Sequence, residues 1–300
     1  MKSSLLVRIA CIFVMMATAA SADLPDGFII QTHRCAGALG PENTLESCFF
    51  AWQLGTIPEV DVRTAADGVL VAFHDKNFER VVKDLPQAFE GKGIEDFSYE
   101  DLQELDVGVY KGEYFEGQRI PQLSAIFHEM QMHPQYRLYL DIKDVSLQTL
   151  AALAMDYELG SRVILASTHY EMIQQWNELV PNAQTLLWMG GTEVQLRERM
   201  VSLKAEGFIG ITQLQIHVRR DASDEDPNSF YPSPAFLREV ANELASRGIV
   251  FQSLPWMADE QIYATLLSLG VNSFATDYPQ RTTRAVSNYQ ETSNSKPPSL

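Results

Sequence analysis

Three features are scarce in this sequence of 300 residues, and each scarcity excludes a class of protein. Only three cysteines are present, too few for the disulfide framework that stabilises small secreted domains. The 23 basic residues are outnumbered by 39 acidic ones, which gives a net charge of −16. This charge argues against a broad basic face that would bind a nucleic-acid backbone. It is still compatible with one anionic ligand in a locally positive pocket. Beyond the N-terminus, no apolar run is long enough to span a membrane. The remaining composition, 46% hydrophobic and 21% charged, is that of an ordinary globular protein.

The first 22 residues have the three parts of an export signal. Lys2 and Arg8 provide a positive start, residues 9–17 form an apolar core, and residues 20–22 (A-S-A) match a cleavage motif before Asp23. The apolar core is shorter than the about 20 residues of a membrane span, so a cleaved signal is favoured over a retained anchor. We therefore predict a protein exported to the periplasm or the extracellular medium, with no stable membrane span in its mature form. The sequence indicates no oligomeric state.

One cysteine, Cys11, lies in this segment, which leaves two in the mature chain. Cys35 and Cys48 could form one disulfide in an oxidising compartment. Cys48 also fits the apolar face of a helix, where a free cysteine behaves as a small core residue. The sequence leaves both interpretations open.

From residue 28 onward, short apolar strands alternate with helices that begin and end at recognisable signals. The first helix is predicted to begin at Asn43, because its side chain can cap the helix and Glu46 completes the spacing of a capping box. Repeated strand–helix units without a change in composition predict a parallel sheet in one α/β domain, residues 23–284. A single (β/α)8 TIM barrel fits this length best, and a doubly wound open sheet is the alternative. The polar residues 285–300 are predicted to form a disordered tail.

The predicted barrel is irregular in two places. Residues 67–68 (D-G) predict a tight hairpin between the second and third strands, too short for a helical crossover. A two-residue turn at this point would pair Asp61 with His74 and place both on the same side of the hairpin as Glu59. Residues 76–120 form a long insertion after the third strand, and long segments of this kind usually cover or build a functional site.

Titratable side chains are concentrated at the predicted strand ends, where a barrel places its chemistry. The set consists of His33, Arg34, Glu59, Asp61, His74, Asp141 and Lys143. Glu59 and Asp61 are two residues apart and so share one face of the second strand. Carboxylates that face one point repel each other unless a cation or a proton lies between them, and oxygen ligands suit Ca²⁺ or Mg²⁺. Taken alone, the same segment would also be compatible with solvated acids on an edge hairpin.

Short motifs occur in a fixed order between residues 28 and 282. They are H-R at 33–34, P-E-N-T at 41–44, E-x-D-V at 59–62, D-G at 67–68, F-H-D at 73–75, I-P-x-L at 120–123, L-D-I-K at 140–143 and T-D-Y-P at 276–279. Each motif is weak alone, but the ordered set resembles the glycerophosphodiester phosphodiesterases over nearly the whole mature domain.

The resemblance implies a metal-dependent (β/α)8 hydrolase that cleaves a small-molecule glycerophosphodiester to an alcohol and glycerol 3-phosphate. It implies one divalent cation, Ca²⁺ or Mg²⁺, and the following residue roles. Glu59, Asp61 and Asp141 would bind the metal, His33 and His74 would form the acid–base pair, and Arg34 and Lys143 would contact the phosphate. For Glu42 we expect a role in orienting His33 or Arg34 rather than in binding the metal. Two other functions stay open: a related phospholipase that acts on intact lipids, and an exported glycerophosphodiester-binding protein without catalysis.

Three positions depart from the family pattern. Cys35 stands where the pattern has glycine, which makes a positive φ harder to adopt. Asp141 stands where the pattern has a longer glutamate. The tryptophan expected on a late strand is found only as a displaced Trp256.

The phospholipase alternative would need an exposed apolar rim. The candidates for this rim are the insertion residues Phe89, Phe97, Tyr110, Tyr114 and Phe115.

Overall fold

The computed structural model describes residues 24, 27–221, 226, 229–256 and 259–294. The predicted export signal lies outside these residues. Within the described part of the chain, no helix combines the length and the apolarity needed to cross a membrane.

Ten strands and nine helices make up the described structure, apart from short 3-10 turns. In chain order the strands are β1 (Ile29–Thr32), β2 (Ile57–Thr64), β3 (Leu70–Ala72), β4 (Leu138–Asp144), β5 (Val163–Ser167), β6 (Gln184–Met189), β7 (Gln213–Arg220), β8 (Phe230–Tyr231), β9 (Val250–Pro255) and β10 (Ser273–Thr276). The helices are α1 (Leu45–Gln53), α2 (Tyr99–Leu102), α3 (Leu123–Met132), α4 (Leu147–Asp156), α5 (Tyr170–Leu179), α6 (Glu193–Ala205), α7 (Pro234–Ala245), α8 (Glu260–Ser268) and α9 (Pro279–Asn294).

Eight of the strands form a closed parallel barrel. Their order is β1-β10-β9-β7-β6-β5-β4-β2, and β2 pairs with β1 to complete the ring. The two remaining strands are antiparallel additions, β3 on β2 and β8 on β7. Helices connect the barrel strands and bury their apolar faces against the sheet, with Trp176 of α5 and Leu266 of α8 fully buried. The predicted TIM barrel is therefore confirmed, and the open doubly wound sheet is excluded because the ring closes.

The hairpin between β2 and β3 has a longer turn than the sequence predicts. Gly68 has φ +84°, and its N–H donates to the carbonyl of Ala65. A glycine in the left-handed region adds a third residue to the turn and shifts the register by one. Asp61 therefore lies opposite Phe73, whose N–H donates to the Asp61 carbonyl at 2.8 Å. The predicted pairing of Asp61 with His74 is wrong, and His74 lies beyond the end of β3.

The predicted insertion after β3 is folded and has its own apolar core. Buried side chains from residues 65–120 form a cluster separate from the main core, centred on Phe78, Phe89 and Ile94. Ser98 caps α2 within this segment, since its Oγ accepts a hydrogen bond from the N–H of Asp101. Because this cluster also includes Val71 and Phe73, the insertion packs on the β2–β3 hairpin, which places its side chains beside the barrel.

The C-terminal segment corrects the predicted domain boundary. Helix α9 continues from Pro279 to Asn294, so the disorder predicted from residue 285 is wrong as far as residue 294. Ala285 and Val286 are buried in the core, and the buried Thr282 hydroxyl hydrogen-bonds with Tyr263 and Thr276, so apolar and polar contacts together hold α9 against the barrel. Residues 295–300 lie outside the described part of the chain.

Candidate active site

Three carboxylates meet at the ends of two neighbouring strands. Glu59 and Asp61 lie on one face of β2, and Asp61 is in register with Asp141 on β4. One oxygen from each of the three lies within 4.8 Å of the others. Glu59 and Asp61 are only 2% and 1% exposed. The parallel pairing of β2 with β4 thus places together the three residues predicted to bind a metal.

The charges of this cluster are only partly balanced by protein groups. Lys143 Nζ lies 3.0 Å from Asp61 Oδ1 and 2.8 Å from Asp141 Oδ2. Burial alone would raise the pKa of Asp61, but the Lys143 ammonium lowers it below its usual value. Burial and the negative charge of Asp61 raise the pKa of Glu59 to about 8. Among the described residues, Glu59 Oε1 is buried without a hydrogen-bond partner. An unsatisfied carboxylate oxygen in a dry cluster of hard ligands fits a divalent cation.

Asn43 holds Asp61 in place, a role that differs from the helix cap predicted for it. Its Nδ2 donates to Asp61 Oδ2 at 2.7 Å, and its Oδ1 accepts from the Asp61 N–H at 2.9 Å. The cap of α1 is Thr44, whose Oγ1 accepts from the N–H of Ser47. The predicted cap was wrong because Asn43 adopts φ +55°, which turns its side chain away from the helix and toward β2.

Arg34 extends from the end of β1 toward the same carboxylates. The backbone N–H of Arg34 donates to Glu59 Oε2 at 2.7 Å, and its side-chain Nη1 lies 3.3 Å from both carboxylate oxygens of Glu42. Its Nε is 3.8 Å from Asp61 Oδ2 and, within the described structure, makes no hydrogen bond. The Arg34 side chain is 21% exposed, so its guanidinium is also suited to contact a phosphate oxygen. Of the two orientations predicted for Glu42, the structure shows the contact with Arg34.

Two histidines stand next to the cluster, and each is held by a carboxylate at Nδ1. His33 Nδ1 lies 2.8 Å from Asp277 Oδ1, and His74 Nδ1 lies 2.6 Å from Asp75 Oδ1. Burial alone would lower the pKa of His33, but the hydrogen bond to Asp277 and the charge of Glu59 raise it. A carboxylate at Nδ1 fixes the ring and directs Nε2 to proton transfer. Asp75 and Asp277 both lie in the sequence motifs, which predicted no role for either residue.

The insertion contributes Arg80, which no sequence motif indicated. Its guanidinium makes two hydrogen bonds to the Glu42 carboxylate, at 2.7 and 2.6 Å, and its Nε donates to Asp75 Oδ2 at 2.6 Å. Burial alone would raise the pKa of Asp75, but the bonds from Arg80 and His74 lower it to about 2. The insertion also supplies Tyr110, whose hydroxyl accepts the N–H of Glu42 at 3.0 Å. Arg80 therefore links Asp75, which holds His74, to Glu42, which contacts Arg34.

Comparison with known proteins decides the family. The model of the Glycerophosphoryl diester phosphodiesterase family matches residues 33–281, most of the chain. The protein belongs to this family. The predicted family and the predicted class of enzyme, the phosphodiester hydrolases, are therefore confirmed.

Individual relatives are distant. The glycerophosphodiester phosphodiesterase of Caldanaerobacter subterraneus is 24% identical over 262 residues, which are 84% of this chain and 95% of that protein. YhdW of Bacillus subtilis is 29% identical over 163 residues, and these span 52% of this chain but only 63% of the relative's own length.

Solved structures of the family share the fold. A protein of Silicibacter pomeroyi has a TM-score of 0.70 and 21% identity, with 88% of this chain and 94% of that chain covered. A phosphodiesterase of Oleispira antarctica, solved in complex with the product sn-glycerol-3-phosphate, has a TM-score of 0.63 and 23% identity, with 88% and 97% covered.

Two of the three departures from the family pattern are now placed. Cys35 forms a disulfide with Cys48, so the interpretation of Cys48 as an unpaired core residue is wrong, although it is fully buried. Trp256, at the end of β9, lies edge-on to His33 with the ring centroids 6.1 Å apart. The displaced tryptophan therefore still reaches the family's histidine.

A second aromatic pair continues this side of the site. His217 is edge-on to Trp256 and stacks on Trp188 at a centroid distance of 5.0 Å. Burial and the nearby Arg219 and His33 charges lower the pKa of His217 to about 4. His217 Nε2 also lies 3.0 Å from Gln215 Oε1, so the ring is held by a polar contact as well as by the aromatic rings.

Proposed function

We propose that this family member hydrolyses glycerophosphodiesters to an alcohol and glycerol 3-phosphate. The observation that carries the proposal is the pair of carboxylate-held histidines, His33 with Asp277 and His74 with Asp75, beside three convergent acids. Stability does not require two oriented imidazoles and an electropositive arginine at one barrel mouth, whereas phosphodiester cleavage uses all of them. The name of the Caldanaerobacter relative and the product bound to the Oleispira protein support the same reaction.

Glu59, Asp61 and Asp141 would hold one divalent cation, Ca²⁺ or Mg²⁺. When bound there, such a cation neutralises negative charge on the phosphate oxygens and makes phosphorus easier to attack. Lys143 bridges Asp61 and Asp141, and Arg34 contacts Glu42 and Asp61, so both side chains would place positive charge beside the phosphate. Asn43 keeps Asp61 oriented for this role.

The histidines move the protons. One imidazole removes the proton from the attacking group, and the other gives a proton to the leaving alkoxide. Attack by water gives glycerol 3-phosphate directly, whereas attack by the glycerol 2-hydroxyl gives a cyclic phosphate that a water must then open. Asp277 and Asp75 would accept the Nδ1 proton of each ring and so direct Nε2 to the substrate. Nε2 is unprotonated in the base, whereas the acid is an imidazolium that carries a proton on Nε2 as well. Arg80 restrains Asp75, and through it the orientation of His74.

A coupled assay of glycerol 3-phosphate tests this function. We expect the purified protein to release glycerol 3-phosphate from glycerophosphodiesters with different head groups, and a chelator to stop the release. A lysophospholipid in a parallel arm tests the phospholipase alternative. Of the five aromatic residues predicted as an apolar rim, only Tyr114 is exposed, so we expect the water-soluble diesters to be the better substrates. A protein that retains these diesters without releasing product would instead be a binding protein.

We also propose that the first 22 residues direct export and are removed. The buried Cys35–Cys48 disulfide supports this proposal, because disulfides persist in oxidising compartments. N-terminal sequencing of the exported protein is expected to begin at Asp23. Sequencing that begins at Met1 would contradict the export signal.

A further inference from the structure

The Cys35–Cys48 disulfide closes a loop that carries much of the proposed active site. The loop begins directly after Arg34 and contains Glu42 and Asn43. Both cysteines have no exposed surface. The inference below rests on the proposed function and concerns what this bond does for it.

One end of the loop has an unusual backbone. Arg34 has φ +50° and Cys35 has φ +71°, a conformation that costs free energy for every residue except glycine. This turn aims two successive N–H groups at one residue: the Arg34 N–H donates to Glu59 Oε2 and the Cys35 N–H donates to the Glu59 carbonyl, both at 2.7 Å. The left-handed turn therefore positions Arg34 and one of the three convergent acids together.

The other end of the loop is anchored in α1. Cys48 lies one turn after the Thr44 cap, and the residue before that cap is Asn43, which holds Asp61. The Asn43 N–H also donates to the Arg34 carbonyl at 3.1 Å. The disulfide thus joins the turn that positions Arg34 and Glu59 to the helix start that positions Asp61.

We propose that the Cys35–Cys48 disulfide is a positioning element for catalysis: it holds the left-handed turn at residues 34–35 that the two N–H contacts with Glu59 require. Without the bond, a residue with a side chain at position 35 would leave this conformation for part of the time. Arg34 and Glu59 would then be misplaced in the same fraction of molecules.

Two double variants separate this role from a simple effect on stability. Cys35→Ala/Cys48→Ala and Cys35→Gly/Cys48→Ala both remove the bond and make the same change in α1. They differ only at position 35, where alanine has a Cβ and glycine has none. The Cβ makes a positive φ costly for alanine, whereas glycine adopts it freely. We expect the alanine variant to have a kcat/KM about 5- to 30-fold below that of the glycine variant. This is the factor by which the left-handed conformation becomes less populated when the residue has a side chain. Because Arg34 meets the phosphate before and during reaction, both KM and kcat should change.

Cation binding gives a readout that does not depend on turnover. We expect millimolar Ca²⁺ to raise the melting temperature of the glycine variant more than that of the alanine variant, since Glu59 is better placed in the glycine variant. If the wild type released no glycerol 3-phosphate from any diester, the proposed function would fail, and this comparison would still test the positioning role.

Several results would overturn the inference. When the wild type is denatured without a reductant and alkylated, mass spectrometry should find Cys35 and Cys48 unmodified. Alkylated thiols at these positions would refute the inference. Equal activity in the two variants, whether at the wild-type level or equally reduced, would also refute it, as would equal cation-induced shifts. Because alanine at a positive φ also lowers the stability of the fold, both variants are assayed well below their melting temperatures, where each is fully folded and a loss of stability alone would leave kcat/KM equal.

Discussion

His33→Ala and His74→Ala are each expected to lower kcat by about 10²- to 10⁴-fold, with a smaller change in KM. The physical reason is that a general acid or base acts on the proton in flight, whereas most of the affinity for the diester comes from phosphate contacts. Because the two imidazoles act on one reaction as a unit, the double variant should be little worse than the poorer single variant. Steady-state release of glycerol 3-phosphate, measured over a range of substrate concentrations, separates kcat from KM.

The matched control is His128→Ala. His128 is exposed on α3 and no motif includes it, so its removal should leave kcat within a factor of two, on the order of assay error. A near-normal kcat in His74→Ala would contradict the acid–base assignment, and a protein that still bound the diester would then favour the binding alternative.

The second large effect concerns the cation. We expect Ca²⁺ or Mg²⁺ to raise the melting temperature of the wild type, since a ligand at 100 times its Kd stabilises by about 2.7 kcal/mol, or roughly 5–10 °C for a domain of this size. Asp61→Ala should abolish this shift, because it removes a central carboxylate of the cluster. The same variant, or a chelator added to the wild type, should lower kcat/KM by at least about 10²-fold, given the several kcal/mol that a bound metal contributes.

Asp144→Ala is the control for this prediction. It removes a carboxylate from the end of the same β4 strand as Asp141, but from an exposed position. The cation-induced shift should persist in Asp144→Ala. A wild-type melting temperature that does not change across millimolar Ca²⁺ and Mg²⁺ would contradict a cation site at Glu59, Asp61 and Asp141.

Local patterns in the sequence determined the fold class and the composition of the site. Alternating strand and helix signals are properties of consecutive residues, so the parallel barrel could be predicted without any knowledge of long-range contacts. Glu59 and Asp61 share a face because of the two-residue period of a strand, whatever the rest of the chain does. The motifs also placed His33 and Arg34 at a strand end, where barrel chemistry occurs.

Only the tertiary structure decided how these residues are held. One left-handed residue in the turn, Gly68, moved the hairpin register by a position, and this choice depends on backbone angles that the dipeptide signal does not specify. Asn43 fits a helix cap by local spacing, yet its side chain bonds to Asp61 on another strand because that buried carboxylate needs donors. Arg80 reaches Glu42, which lies 38 residues earlier in the chain, only because the insertion packs beside the barrel. Such contacts join segments that are far apart in the chain, so patterns among neighbouring residues cannot predict them.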